Sequence, residues 1–581
     1  MTQCGEDVIK VAMYIDMVPN RKSPPAVLLR ESYREGGKVL KRTLANLSAL
    51  PMEQVELLKK SLKGEQLYSA EDLFKVVRNI PHGHVQAVLG TIKHIGLDKT
   101  IYSQRTRQRD LIIGMITERL IYGCSKLATV RHWHTTTLAQ ELGVEDANED
   151  ELYEAMDWLL EKQNRIEEKL AKRHLHEGTA IFYDVTSSYY EGRTCPLAQF
   201  GHSRDGKKGR PIIVYGVMTD REGRPVAADV YPGNTGDPST VADQVEKLRN
   251  RFGLEKLVLV GDRGMLTQTQ IKKNRSYPGI GWVSALRAGQ VRQLANGGSL
   301  QMSLFDDHNL AEIQDPQYPG ERLVVCYNPL LAEERRRKRE DLLEATKSLL
   351  SKVVAQVNRR TRTPMPKEQI GLKVGRVLYR YKMGKHFRVT IKQGHFSYKI
   401  REDSIQKQQE LDGIYVIRTS ESSRNLSRDD VLRTYKNLAE VERVFRTMKG
   451  VDIRVRPIRH RSEDRVRAHI FICLLAYYVE WYMRKSLRPM LFEDEQREKV
   501  RAKRNPVLPA KPSPSAQKKK SKRVTKDGFP VHSFDTLLAE LGTLCRNVCR
   551  AKNQPSGQTF TMITDPTPLQ GKALNLLNLY P

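Results

Sequence analysis

Residues 255–265 read EKLVLVGDRGM, a nearly unbroken apolar run that stops at an aspartate and a glycine-containing turn. A run with no polar face reads as a strand buried on both sides, the habit of strands in sheets covered by helices. Its neighbours extend the pattern. TAIFYDVTSSYYEG, from residue 179, is a short β-branched run. RPIIVYGVMTDREGRPVAADVYPG follows, two strands joined by a turn at Asp220–Gly223. STVADQVEKLRNRFG then has helical spacing, QTQIKKN suggests a short helix, and IGWVSALRAG another strand. The expected order is β-β-β-α-β-α-β, a mixed α/β sheet.

The rest of the chain is arranged around that sheet. Residues 8–45 read as strands and turns, with Gly36-Gly37 marking a hairpin, and residues 51–175 read as helical. A charge-dense helix from LAEERRRKRE onward interrupts the sheet. It is followed by a basic strand-like pair, VGRVLYRYKMGKHFRVTI and HFSYKIRED. LDGIYVIRT at 411–419 returns to apolar β character, and RVRAHIFICLLAYYVEWYMRK at 465–485 reads as a core helix. Between 501 and 526 there are ten Lys or Arg and four prolines, expected to form a solvated linker. The tail suggests helices, one of them holding Cys545 and Cys549, and a strand at QTFTMIT.

The expected division is 1–50, an N-terminal β-hairpin segment; 51–176, a helical region; 177–289, the first part of the core; 290–410, an insertion; 411–490, the second part of the core; 491–530, a basic linker; and 531–581, a C-terminal appendage.

Net charge narrows the partners. Ninety-eight Lys and Arg against 68 Asp and Glu leave +30, which favours a polyanion, chiefly nucleic acid. Seven scattered cysteines form no zinc motif and point to a reducing cytoplasm. The HGH at 82–84 and HWH at 132–134 have no further ligands at metal spacing. No stretch reaches the roughly 20 apolar residues of a membrane span, and the first residues do not read as a signal peptide.

Three acids stand out. Asp184 sits inside an apolar strand, and Asp262 ends another. A charge in such a place must be paired, protonated or metal-bound, and ligand sites in open α/β sheets form where strands end. The third lies in YKNLAEVERVFRTMKG, residues 435–450. At 100° per residue, Leu438, Val441, Val444, Phe445 and Met448 make the buried stripe. Tyr435, Glu442, Arg446 and Lys449 share one border of it, and Glu440 lies on the other. The company of a phenol, a guanidinium and an ammonium favours Glu442. Three carboxylates without histidine or cysteine suit two hard ions, Mg²⁺ or Mn²⁺. Buried salt bridges are the alternative for the aspartates, and a solvated charged face is the alternative for the helix.

The ordered set resembles the DDE transposases of the insertion-sequence-four superfamily, which have an RNase H-like core. Their helix signature, Y-x2-R-x3-E-x6-K, falls here on Tyr435, Leu438, Glu442 and Lys449, with leucine in place of the arginine. YDVTSSYYEG, GHSRDGK, YPGNTGD, VLVGDRGM and LDGIYVIRT are similar to family landmarks in family order, and the helix suggests the branch around the insertion-sequence-sixteen-thirty-four group. The resemblance implies an α/β RNase H-like catalytic core with a β-rich and helical insertion and a mainly helical N-terminal region. It implies catalytic Asp184, Asp262 and Glu442 holding two Mg²⁺ ions. Lys449 would grip a DNA phosphate, and Tyr435 would contact a phosphate or sugar. Partners would be terminal inverted repeats and target DNA, with a homodimer in the synaptic complex. A nuclease or resolvase that cuts without joining, and a catalytically silent DNA-binding derivative, are the competing readings.

Further DNA contacts are expected from Arg204, Lys207, Lys208 and Arg210 in HSRDGKKGR, and from Arg263. In RYKMGKHFR they would come from Lys382 and Lys385, and after the third acid from Arg446, Arg456 and Arg459.

Overall fold

The computed structural model describes residues 10–21, 23–65, 74–300, 305–551 and 558–579. Cys4 and the first half of the stretch judged for a signal peptide lie outside these residues.

The chain divides into two compact units, the smaller made of residues 1–80 and 545–564. In it β1 (Lys10–Val18), β2 (Ala26–Glu35) and β3 (Lys38–Asn46) form an antiparallel sheet. Gly36 and Gly37 take φ of +54° and +79°, the left-handed backbone of the two-residue hairpin turn. Helix α1 (Met52–Leu62) sets Val55 against Ile15 and Val27. Strand β4 (Phe74–Pro81) corrects the all-helical reading of 51–175. Its partner strand begins at Cys545, too distant for local periodicity to reveal.

The larger unit begins with helices α2 (Gly83–His94), α3 (Arg107–Ile121), α4 (Lys126–His132) and α5 (Glu149–His174). Thr106 caps α3, and Asn148 with Glu151 forms a capping box on α5. The sheet follows as expected: β5 (Ala180–Tyr189), β6 (Ile212–Thr219), β7 (Pro225–Pro232), β8 (Leu257–Val260) and β9 (Ile280–Ala285). Spatially these run β7-β6-β5-β8-β9. β5, β6 and β7 are antiparallel, while β8 and β9 continue parallel to β5. This 3-2-1-4-5 order is an RNase H-like core.

Three antiparallel strands widen it. β10 (Leu310–Ile313) and β11 (Arg322–Tyr327) join the sheet beyond β9 through β14 (Ile414–Thr419). Between β11 and β14, helices α6 (Pro329–Asn358) and α7 (Lys367–Arg380) pack with the hairpin β12 (Phe387–Lys392) and β13 (His395–Ile400) around Leu350, Ile370, Val374 and Phe396. VGRVLYR, expected as strand, is therefore the end of α7. Its Ile370 and Val374 are one helical turn apart and both buried, which fixes the helical face.

Helices α8 (Arg428–Lys436) and α9 (Leu438–Lys449) lead to α10 (Glu463–Leu487), which is buried nearly all round. The 501–526 segment is not simply solvated. It holds the last residues of the helix Arg497–Lys503 and all of the helix Pro514–Lys522. Lys436 Nζ donates to the Val507 carbonyl at 2.9 Å, and Lys519 Nζ to that of Arg488 at 2.9 Å. Cys545 and Cys549, expected on a helix, lie on β15 (Cys545–Ala551), which pairs with β16 (Thr559–Ile563). Cross-strand partners decide short segments of this kind. Among the described residues no helix is long and apolar enough to cross a membrane.

Candidate active site and DNA-facing residues

β5 and β8 are parallel, with Ala180, Ile181 and Phe182 opposite Val258, Leu259 and Val260. Carried two residues further, that register sets Asp184 level with Asp262. Neighbouring strands lie about 4.8 Å apart, so two acids start from adjacent positions at one end of the sheet. Asp184 accepts a hydrogen bond from the Val185 N–H at 2.8 Å. Its carboxyl is pushed up to about 7, mainly by burial, with Asp262 and Asp237 adding to the rise against Val185 and Arg204. Asp262 is exposed where the chain turns out of β8. Its backbone oxygen accepts from Met265 and Leu266 at 3.1 Å, and its side chain from the Gly264 N–H.

The third acid approaches from the helices. Tyr435 and Glu442 do not share one continuous helix, as expected, because the chain passes from α8 to α9 at Asn437. There the Glu440 N–H donates to the Asn437 carbonyl at 2.8 Å, three residues back, a tighter closure than the α-ladder. The stripe of α9 is buried as its spacing implied: Val441, Val444, Phe445, Met448 and Leu438 face inward, and the Phe445 ring meets Tyr215 edge-on at 6.0 Å. Glu442 is exposed and makes no hydrogen bond or ion pair among the described residues.

Glu440 is its opposite. It is buried and paired with Arg497, with Arg501 at 3.6 Å and Arg443 at 3.9 Å. Glu440 thus anchors α9 to the segment after α10, while Glu442 has no such partner among the described residues.

Tyr435 ties the three acids together. Its phenol is pushed up to about 12, first by burial and then by Asp262, with Glu442 and Asp184 adding to the rise and Arg263 opposing it. The three carboxylates are not crowded onto a single point: among the described residues only Glu118, Cys124 and His132 bring three ligand atoms within 4.8 Å of one another. The donor set is all oxygen, with like charges side by side, and suits hard divalent ions.

Lys449 has a different setting from the expected phosphate grip. Its ammonium donates to Thr186 Oγ1 at 2.8 Å, the Ser187 carbonyl at 2.6 Å and Asp205 Oδ1 at 2.9 Å. Asp205 also pairs with Arg456 and accepts from the Tyr189 N–H at 3.0 Å. The sequence reading missed this acid, although a lone aspartate among the bases of HSRDGKKGR was a signal. Asp237, which pairs with Arg204 beside Asp184, was missed as well.

The remaining basic residues separate into paired and unpaired. Arg210 and Arg459 both pair with Glu191. Lys207 lies over the Tyr189 ring at 6.0 Å. Lys208, Arg263 and Arg446 are exposed and make no side-chain hydrogen bond or ion pair among the described residues. Lys382 and Lys385 lie in the turn between α7 and β12, with Lys382 at φ +55°. Leu438 is buried, so the arginine absent from the signature has no exposed place on this face. A basic cavity of about 920 Å³ opens beyond α9, lined by Arg454, Arg456, Arg459, Arg461 and Arg465 among others.

A family model described as "Transposase DDE domain" matches residues 176–479, more than half of the chain and all three acids. The chain belongs to the DDE transposases. A second model, the N-terminal domain of the IS1634 family transposase, matches residues 15–75 and makes this an insertion-sequence transposase. A transposase of this class cleaves DNA and joins the freed strand to another site, using divalent metal. Among curated proteins no match was found. Among solved structures, this transposase is similar to the piggyBac transposase in a cryo-EM synaptic complex with hairpin DNA. Identity is 10% and the TM-score 0.34, over 79% of this chain and 76% of that one.

Proposed function

We propose that Asp184, Asp262 and Glu442 are the catalytic acids, that they hold two Mg²⁺ ions, and that the substrates are the terminal inverted repeats of the element and a target duplex. The observation that carries this reading is the placing of Asp184 inside β5 and of Asp262 just past the end of the neighbouring parallel strand β8, with the unpartnered Glu442 on α9, which packs against β5. The two ions, when bound, lower the barrier to in-line phosphodiester displacement by stabilising the entering and leaving oxygens.

The chain's own residues do the positioning. Asp184 and Asp262 are held by the sheet, and Glu442 is carried by a helix anchored through Glu440. Tyr435, with its proton held firmly, donates to a phosphate oxygen beside the acids. Arg263 and Arg446, both unpaired, take phosphates of the end being cut. Lys449 reaches DNA only by giving up one of its three acceptors. Arg456, Arg459 and the basic cavity continue the phosphate track, residues 51–176 bind the element end, and two copies assemble the synaptic complex.

The test is incubation of the purified chain with terminal-repeat duplexes and Mg²⁺. A joined product is expected. Cleavage without joining would leave a nuclease, and equal cleavage by Asp184→Ala would discard the site assignment.

A further inference from the structure

The described residues hold one cluster of three ligating atoms within 4.8 Å, and it lies outside the DDE site. Glu118 is on the last turn of α3, Cys124 follows that helix, and His132 ends α4. Ser125 caps α4 through the Ala128 N–H, so the hairpin between the helices fixes where Cys124 stands relative to His132.

The spacing of the atoms is informative. Cys124 Sγ lies 3.5 Å from His132 Nδ1, and His132 Nδ1 lies 3.6 Å from Glu118 Oε1. The second contact is too long for a direct hydrogen bond. Both match the edges of a tetrahedron around zinc, about 3.6 Å for S···N and about 3.3 Å for N···O from ordinary Zn–ligand lengths. Glu118 Oε1 is buried and has no hydrogen-bond partner. A buried carboxylate oxygen left in this way lacks a cation or donor.

We propose that Glu118, Cys124 and His132 form a zinc site that clips α3 to α4. The chemistry favours this metal class: thiolate, imidazole and carboxylate suit Zn²⁺, where an all-oxygen set suits Mg²⁺. The side chain of His132 is 41% exposed, so an ion can enter from solvent and keep an open fourth position. Arg119 and Lys126 stand nearby and oppose a cation. A bound thiolate and carboxylate offset them.

The test uses the full chain purified without chelator. Elemental analysis should find about one zinc per chain. After chelation, titration with Co²⁺ should give intense visible bands and a thiolate-to-cobalt charge-transfer band. Cys124→Ser should abolish the charge-transfer band, and His132→Ala should weaken Co²⁺ binding at least about tenfold. Circular dichroism checks that both variants fold. An Asp184→Asn, Asp262→Asn double variant should keep the band, separating this site from the DDE acids. Absence of the band from the wild-type chain, or its survival in Cys124→Ser, would overturn the proposal.

Discussion

Asp184 and Asp262 each stand two residues beyond the last paired residues of the parallel strands β5 and β8, Phe182 and Val260, although 77 residues separate them in sequence. Their pairing is a property of strand register: a slip of one residue would turn one side chain to the other face of the sheet.

Burial of the Asp184 carboxyl, with Asp262 and Asp237 adding to it, costs stability without metal. The Asp184 carboxyl rises from its ordinary value of 3.8 to about 7, so the folded chain binds that proton more tightly than the unfolded one. Its contribution to stability therefore falls as pH climbs from about 4 to about 7 and stays low above that. Asp184→Asn should raise the Tm in chelator at pH 8, with a gain that shrinks towards pH 4. Mg²⁺ should raise the Tm of the wild-type chain and have much less effect on the variant. Thermal scans across pH check both expectations.

The two glutamates of α9 should part company. Glu442→Gln should lower cleavage by about 10³-fold or more, with Tm nearly unchanged, since this side chain has no protein partner to lose. Glu440→Gln should cost about 1–3 kcal/mol by weakening the anchor to Arg497 and Arg501. It should reduce cleavage only as far as the folded fraction falls. Paired denaturation and cleavage assays separate the two roles.

Restoring the signature arginine should harm this chain. Leu438→Arg would place a guanidinium at a buried position with no acceptor arranged for it, at a cost of several kcal/mol. A lower Tm without gain in cleavage is the expected result.

Asp205 should behave as a hub. Asp205→Asn removes the charge shared by Lys449 and Arg456, and a double-mutant cycle with Lys449→Met should show coupling of about 0.5–3 kcal/mol in stability. Additive losses in denaturant titrations would contradict a shared network.

Arg446→Ala should weaken binding to terminal-repeat and unrelated duplexes alike, and should reduce the slope of log K against log salt by about 1. Fluorescence anisotropy at several salt concentrations measures this.

Much of the core was legible because its signals are local. The apolar run before Asp262 has no polar face, and the stripe on α9 keeps helical spacing from Leu438 to Met448. What escaped depends on distant partners. Phe74–Pro81 is a strand because another strand waits at Cys545, and Cys545–Ala551 is a strand for the reciprocal reason. The choice between Glu440 and Glu442 rested on neighbouring residue types. The structure adds the arginines at 497 and 501, supplied by a segment that composition alone suggested was loose. Glu118, Cys124 and His132 follow no familiar spacing, because their meeting depends on how α3 and α4 are joined.

The joint at Asn437 divides the catalytic helix into two levers. Tyr435 rides on the arm seated against β14, and Glu442 on the arm seated against β5. The place of Glu442 thus depends on how one short arm packs against β5, so a change in that packing would move this side chain without touching the strand that carries Asp184.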